Sequence, residues 1–310
     1  MPARDERGDG PSYLALERGG ELARREAALW EIFKSCALCP RSCGVNRLAG
    51  EKGRCGATAQ VKVHSAGPHF GEEWPLVGTS GSGTVFFSNC NLLCCFCQNW
   101  EINHRGDGKI RIHEQLARMM LDLQGRGCKN INLVTPTHVA PNIVKSLRIA
   151  IKGGLKVPLV YNTGGYDSLE VIRLLDGIVD IYLPDFKYQD EKMALKYSSD
   201  AVDYPKVAAA GIKEMYRQVG NLKTAGMLGG AERGLMLRHL VMPNNIAGTD
   251  RFIRWVAREL SPRTYTNLMD QYRPAHKAFG YPEIARRINE EEWQKVLTWA
   301  KQAGLKRVES

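Results

Sequence analysis

No apolar run in this 310-residue chain approaches the ~20 residues that a membrane-spanning helix needs. The longest, such as 157–161 and 235–237, end after a few positions. The first ten residues alternate charges and hold no apolar stretch of the kind a secretory signal carries, so a cytoplasmic location and no membrane partner are expected. Lys and Arg outnumber Asp and Glu by 43 to 33, a net charge of +10, yet no Lys/Arg-rich block concentrates it. Charge spread this thinly serves solubility better than it serves a nucleic-acid surface. Disorder is excluded as well: 44% hydrophobic and 25% charged residues are ordinary for a globular chain, and the length allows a large core without disulfide staples.

Cysteine is not scarce. Nine occur, at 36, 39, 43, 55, 90, 94, 95, 97 and 128, eight of them in the first third of the chain. An odd count in a reducing compartment argues against a disulfide framework, and short spacings argue for metal or iron–sulfur ligation.

Helix-period apolar residues run up to Phe33 (Leu22, Leu29, Ile32), with Gly19-Gly20 interrupting them on the N-terminal side. The segment 36–55 has no strong periodicity and suits a small module folded around something other than an apolar core. A Gly/Pro-rich stretch, 67–83, reads as a loop; its GTSGSGT lacks the Lys-Ser/Thr that ends a phosphate-cradling loop. From residue 84 the pattern alternates. Strand-like runs at 84–89, 131–135, 157–161, 178–183, 235–241 and 264–269 are separated by helical segments, the last carrying Trp293, Val296, Leu297 and Ala300. Six strand–helix units with strands too apolar to face water imply an α/β fold with a parallel sheet, open or closed as a barrel. The expected division is residues 1–66, an N-terminal helix plus a four-cysteine module, and 67–310, the barrel with its C-terminal helix. In such folds chemistry gathers at the C-terminal ends of the strands.

Cys90, Cys94 and Cys97 directly follow the first strand as C-x3-C-x2-C, with Phe96 before the last cysteine. Three thiolates on one loop can each hold an iron of a [4Fe–4S] cube and leave the fourth iron without a side-chain ligand. A zinc knuckle at Cys94-x2-Cys97 is the competing reading. Cys95 does not fit the triad, and Cys128 reads as a core thiol. The array Cys36-x2-Cys39-x3-Cys43-x11-Cys55 suits either a structural zinc or a second, fully ligated iron–sulfur cluster. His64, His69, His104 and His113 are further candidate ligands for either site. Asp185 and Lys187 lie two apart and share a face, whereas Arg238 and His239 point to opposite faces, so only one of that pair can line a barrel. Strand six ends in Asn267, Gln271 and Tyr272.

The C-x3-C-x-aromatic-C run after the first of six βα units is similar to the radical S-adenosylmethionine (SAM) superfamily. More narrowly, CALCPRSCGVNR from Cys36, GTVFFSNCNLLCCFCQN around the triad, LVTPTH, LPDFKY, LRHLVMP and NLMDQYRP resemble uncharacterised proteins related to the pyruvate formate-lyase activating enzyme. The resemblance implies a partial (β/α)6 TIM-like barrel, a SAM-chelated [4Fe–4S] cluster and reductive cleavage of SAM to a 5′-deoxyadenosyl radical that abstracts hydrogen from a substrate. It implies a reductant such as flavodoxin or ferredoxin, and a protein or peptide substrate, a glycyl-radical enzyme among them. It also places Phe96 by the SAM adenine. Thr137 stands where the family's Gly-Gly-Glu holds the SAM amino group, and His138 equally faces substrate. Asn162 and Thr163 open a turn like the family's Asp-Thr-Asn-Gly, and Asp185 and Lys187 line the site. The acidic positions hold a monovalent cation in the activating enzyme, which Asn162 in place of Asp weakens here. Arg238 suits the SAM carboxylate, and His276 resembles a histidine near SAM. The alternatives are radical modification of a peptide, RNA or metabolite or, in a different class, a non-catalytic iron–sulfur or zinc protein that carries electrons or binds nucleic acid.

Overall fold

In the computed structural model, which describes residues 10–225 and 230–309, the short apolar runs become strands buried on both faces. The expected domain limits at 1 and 310, and the charged N-terminus before residue 10, lie outside the described residues. Ten strands form one sheet: β1 (Val61–His69), β2 (Ser82–Phe87), β3 (Lys109–Arg111), β4 (Ile131–Val134), β5 (Leu159–Thr163), β6 (Ile181–Pro184), β7 (Lys223–Thr224), β8 (Ala231–Leu240), β9 (Tyr265–Met269) and β10 (Val308–Glu309). Strands β2, β4, β5, β6, β8 and β9 are neighbours in that order and pair in parallel. Helices His113–Gly125, Ala140–Lys152, Leu169–Leu174, Tyr204–Val219, Thr249–Glu259 and Glu290–Gln302 follow them in turn. This is the (β/α)6 arrangement, left open because β3 and β10 end the sheet without pairing. Among the described residues no helix is long and apolar enough to cross a membrane.

The two faces of the sheet bury different things. Most of the core lies between strands and helices. A second, small cluster fills the inside of the barrel with Val160, Ile181, Leu183, Met236 and Tyr265, which alternate with the helix-facing residues of their strands. Leu76 completes it from the β1–β2 connection, where Asn130 Nδ2 donates to the Leu76 carbonyl at 2.7 Å. The stretch 67–83, expected to be a loop, therefore contains the end of β1, a short helix (Trp74–Val77) and the start of β2. Strand β1 was hidden because it lies outside the parallel core, pairs only antiparallel with β2 and β3, and carries Gly67 and Pro68 in place of an apolar alternation. It also runs across residue 66, so the module and the barrel share a sheet.

Upstream, Gly20 (φ 72°) breaks the first helical segment into Tyr13–Arg18 and Glu21–Glu31. Ser12 N donates to Asp180 Oδ1 at 3.0 Å and Tyr13 donates to the Val157 carbonyl at 2.9 Å, pinning this segment beneath the barrel.

Candidate active site

Beyond β2 the backbone leaves extended geometry at once. Asn89 (φ 77°) and Leu93 (φ 51°) take left-handed conformations that cost a non-glycine residue energy and are held only where the surroundings insist. Here they do: Asn89 N donates to the Ile102 carbonyl (2.9 Å), Cys95 N to the Tyr197 carbonyl (2.8 Å), and Lys277 N to the Cys95 carbonyl (2.8 Å). The winding turns Cys90, Cys94 and Cys97, with Phe96, into one cavity of about 220 Å³ at the C-terminal ends of the strands. Cys95 is buried outside that cavity, and Cys128 is buried against the Ser80 carbonyl.

Each of the three cavity sulfurs has a polar partner. Leu92 N points at Cys90 Sγ at 3.4 Å, Asn103 Nδ2 at Cys97 Sγ at 3.3 Å, and Ser198 Oγ lies 3.0 Å from Cys94 Sγ. Burial pushes the Cys90 thiol up to about 12 and raises Cys94 and Cys97 too. As free thiols these groups would stay protonated, whereas a coordinated metal deprotonates them outright. Sulfurs that already have polar hydrogen-bond partners fit that ligated state.

Opposite the sulfurs, three strand ends bring three charged side chains and an amide together. Arg238 donates through Nε to Asp185 Oδ1 (2.8 Å) and through Nη2 to Asn162 Oδ1 (2.5 Å), and Lys187 Nζ donates to Asp185 Oδ2 (2.6 Å). Burial alone would raise the Asp185 carboxyl, but Arg238 and Lys187 outweigh it and hold it below the usual range. The Lys187 ammonium sits at about 12, because Asp185 and then Cys94 more than offset its burial. The turn after β5 needs its second glycine. Gly165 has φ +79°, and a Cβ there would lie 2.3 Å from the Asp185 carbonyl oxygen. Thr163 lines the same cavity. Alternation decides between Arg238 and His239 as expected. His239 faces outward, stacks on Phe252 (4.2 Å) and is held to about 4 by burial between the Phe186 carbonyl and Thr249.

Two of the expected site residues are not among those that line this cavity. Thr137 does not reach the cavity. The 3-10 turn Thr137–Val139 swings its hydroxyl to Asp167 Oδ1 (2.7 Å), within a buried network that includes Tyr161 and the Thr163 hydroxyl. His276 (φ 53°) does not reach it either; its ring stacks on Trp100 (5.2 Å) beside His104. The alternative His138 is fully enclosed between the Ser88 carbonyl and Arg47 rather than facing a substrate space. Gln271 lines the cavity, but Tyr272 is buried with its hydroxyl on the Ile284 carbonyl. Of the other histidines, His64 stays exposed beside the Asp107 carbonyl, His104 meets the Cys94 carbonyl at 3.1 Å, and His113 packs on Trp30.

Glu72 and Glu73 escaped the sequence reading. The β1–β2 connection inserts both beneath the charged cluster, Glu72 3.8 Å from Arg238 and Glu73 accepting from Asn267 Nδ2 at 3.0 Å. Burial raises the Glu72 carboxyl, opposed chiefly by Arg238. The only available signal was a pair of acids in an otherwise Gly/Pro-rich segment.

The Radical SAM superfamily profile matches residues 84–230, which span the cysteine loop and the strand ends bearing Asn162, Asp185 and Lys187. The uncharacterized protein MJ0674 of Methanocaldococcus jannaschii is 32% identical over 284 residues, covering 88% of this chain and 76% of its own. The chain belongs to the radical SAM superfamily. A solved structure of TYW1 with a lysine–pyruvate adduct bound resembles it at TM-score 0.41 and 10% identity, over 71% of this chain and 73% of that one, a likeness too distant to bear on substrate. A radical SAM enzyme uses a [4Fe–4S] cluster and SAM, and needs an external reductant. The residues present fit both groups: the buried sulfurs with aimed donors suit the cluster, and the paired cations and carboxylate suit an amino-acid end with charges of both signs.

Proposed function

We propose that Cys90, Cys94 and Cys97 hold the cluster and that Asn162, Asp185, Lys187 and Arg238 hold the amino-acid end of SAM, so that the cavity between them is where hydrogen is taken from a substrate. The observation that carries this is the meeting of three loop sulfurs and three charged side chains, Asp185, Lys187 and Arg238, in one cavity. When bound, the reduced cluster and SAM together supply a 5′-deoxyadenosyl radical. The chain's own residues bind, orient and exclude water. Arg238 has a planar fork fixed by Asp185 and Asn162, with Nη1 left toward Glu72, and it suits a carboxylate. Asp185 is kept ionised by two cations and is the acceptor for an ammonium. Leu92, Phe96, Leu240 and Met269 line the cavity with apolar surface, which keeps a reactive species from stray water. Phe96 meets Tyr272 edge-on at 5.9 Å, and that contact fixes its ring for stacking on adenine.

The substrate carried forward is a protein or peptide segment, a glycyl-radical enzyme among them. That finer reading rests on the motif resemblance to the pyruvate formate-lyase activating enzyme. Anaerobic turnover tests the core: dithionite and SAM should yield 5′-deoxyadenosine with the native chain, and none with Cys94→Ala. A Cys94→Ala enzyme that cleaves SAM at the native rate would overturn the assignment.

A further inference from the structure

Four cysteines lie in a module that has almost nothing else to hold it. Residues 35–60 contain one 3-10 turn, Arg47–Ala49, and no strand. The chain is drawn together by single turn bonds, Cys36 N to the Val45 carbonyl (3.0 Å), Gly44 N to the Cys36 carbonyl (3.1 Å) and Ser42 N to the Cys39 carbonyl (3.0 Å). At its centre Arg47 is 1% exposed. Its guanidinium donates to the Thr58 and His138 carbonyls, lies over the Phe33 ring and reaches within 4.0 Å of Cys36 Sγ. Among the described residues no ion pair with a carboxylate is seen for it. A buried charge without a counter-charge costs several kcal/mol, so something anionic belongs beside Cys36.

The module shares one feature with the cavity loop, a backbone N–H aimed at a cysteine sulfur. In the cavity loop Cys90 accepts from Leu92 N at 3.4 Å. Cys43 accepts from Arg54 N at 3.3 Å. Neither array brings three of its side chains close enough to clasp a single ion among the described residues. A zinc needs its four sulfurs converged on one atom, whereas the corners of a cube stand apart. The arrays are also neighbours: Arg41, two residues after Cys39, donates through Nε to the carbonyl of Asn91, the residue after Cys90, at 3.1 Å.

We infer that Cys36, Cys39, Cys43 and Cys55 hold a second, fully ligated iron–sulfur cluster, adjacent to the first and charge-balanced by Arg47. It leans on the proposed function only in likening the two arrays; its test does not require SAM chemistry. The full chain carrying Cys90→Ser, Cys94→Ser and Cys97→Ser is purified and reconstituted anaerobically, and its iron, sulfide and zinc are counted. About four irons and four sulfides are expected, with a dithionite-reducible EPR signal that vanishes when Cys39→Ser is added. One zinc, or no metal, in the triple variant overturns the inference. Should that variant not fold, the native chain decides: about eight irons support a second cluster, and about four irons overturn it. Failure of the SAM assay with eight irons present would count against the proposed function and leave this site standing.

Discussion

Substituting Asp185 by Asn removes one negative charge from between two buried cations. Arg238 at 2.8 Å and Lys187 at 2.6 Å both donate to that carboxylate, and the three side chains are each under a fifth exposed. Asn keeps the shape but leaves the cations facing each other with one neutral acceptor, and breaking a buried pair in this way costs about 3–5 kcal/mol. With an unfolding entropy of roughly 2 cal/mol/K per residue, a chain of 310 residues should lose about 5–8 °C in Tm. Circular dichroism melts of anaerobic protein read that loss directly. The double variant Asp185→Asn/Lys187→Met should recover part of it, because the remaining Arg238 still has Asn162 and Glu72. Screening by salt should matter little at such burial. A single variant melting within a degree of native, or double-variant losses that simply add, would refute the claim that this carboxylate balances two cations.

Arg238→Gln should weaken SAM binding about ten- to hundred-fold, the value of a charged hydrogen-bonded contact, by equilibrium dialysis under reducing conditions; unchanged affinity would remove it from the site. Thr137→Val strips one donor from buried Asp167 and should cost about 1–3 kcal/mol in denaturant while leaving SAM cleavage intact. A loss of SAM affinity at full stability would restore Thr137 to the site. His138 is held neutral down to about pH 3, chiefly by burial. The unfolded imidazole, near 6.5, takes up a proton first, so the stability His138 contributes is whole above pH 6.5 and falls by about 1.4 kcal/mol per unit as pH drops towards 3. Asp180, raised to about 6 by burial, works in the opposite sense between pH 6 and 4. The informative quantity is therefore the slope difference between the native chain and His138→Gln, which should be one proton shallower in the variant. Equal slopes would show that His138 is not buried neutral.

The cysteine loop, the six parallel strands and the pairing of Arg238 inward with His239 outward were readable because spacing and alternation are local. The residues whose placement the pattern did not convey were positioned mainly by contacts distant in sequence. Thr137 sits at the right strand end, but Asp167, thirty residues on, claims its hydroxyl. His276 is turned aside by a left-handed backbone and by Trp100. Glu72 and Glu73 lie in a Gly/Pro-rich connection whose only purpose becomes visible once Leu76 is seen plugging the open barrel. A one-dimensional pattern carries no trace of such a plug.

The most direct test is EPR of the dithionite-reduced enzyme before and after SAM is added, alongside the Cys90→Ser/Cys94→Ser/Cys97→Ser variant. If the cavity triad leaves an iron open to SAM, the native spectrum should change on addition, and the SAM-sensitive signal should be missing from the variant. A native spectrum indifferent to SAM, or a SAM-sensitive signal that survives loss of all three cysteines, would contradict the account.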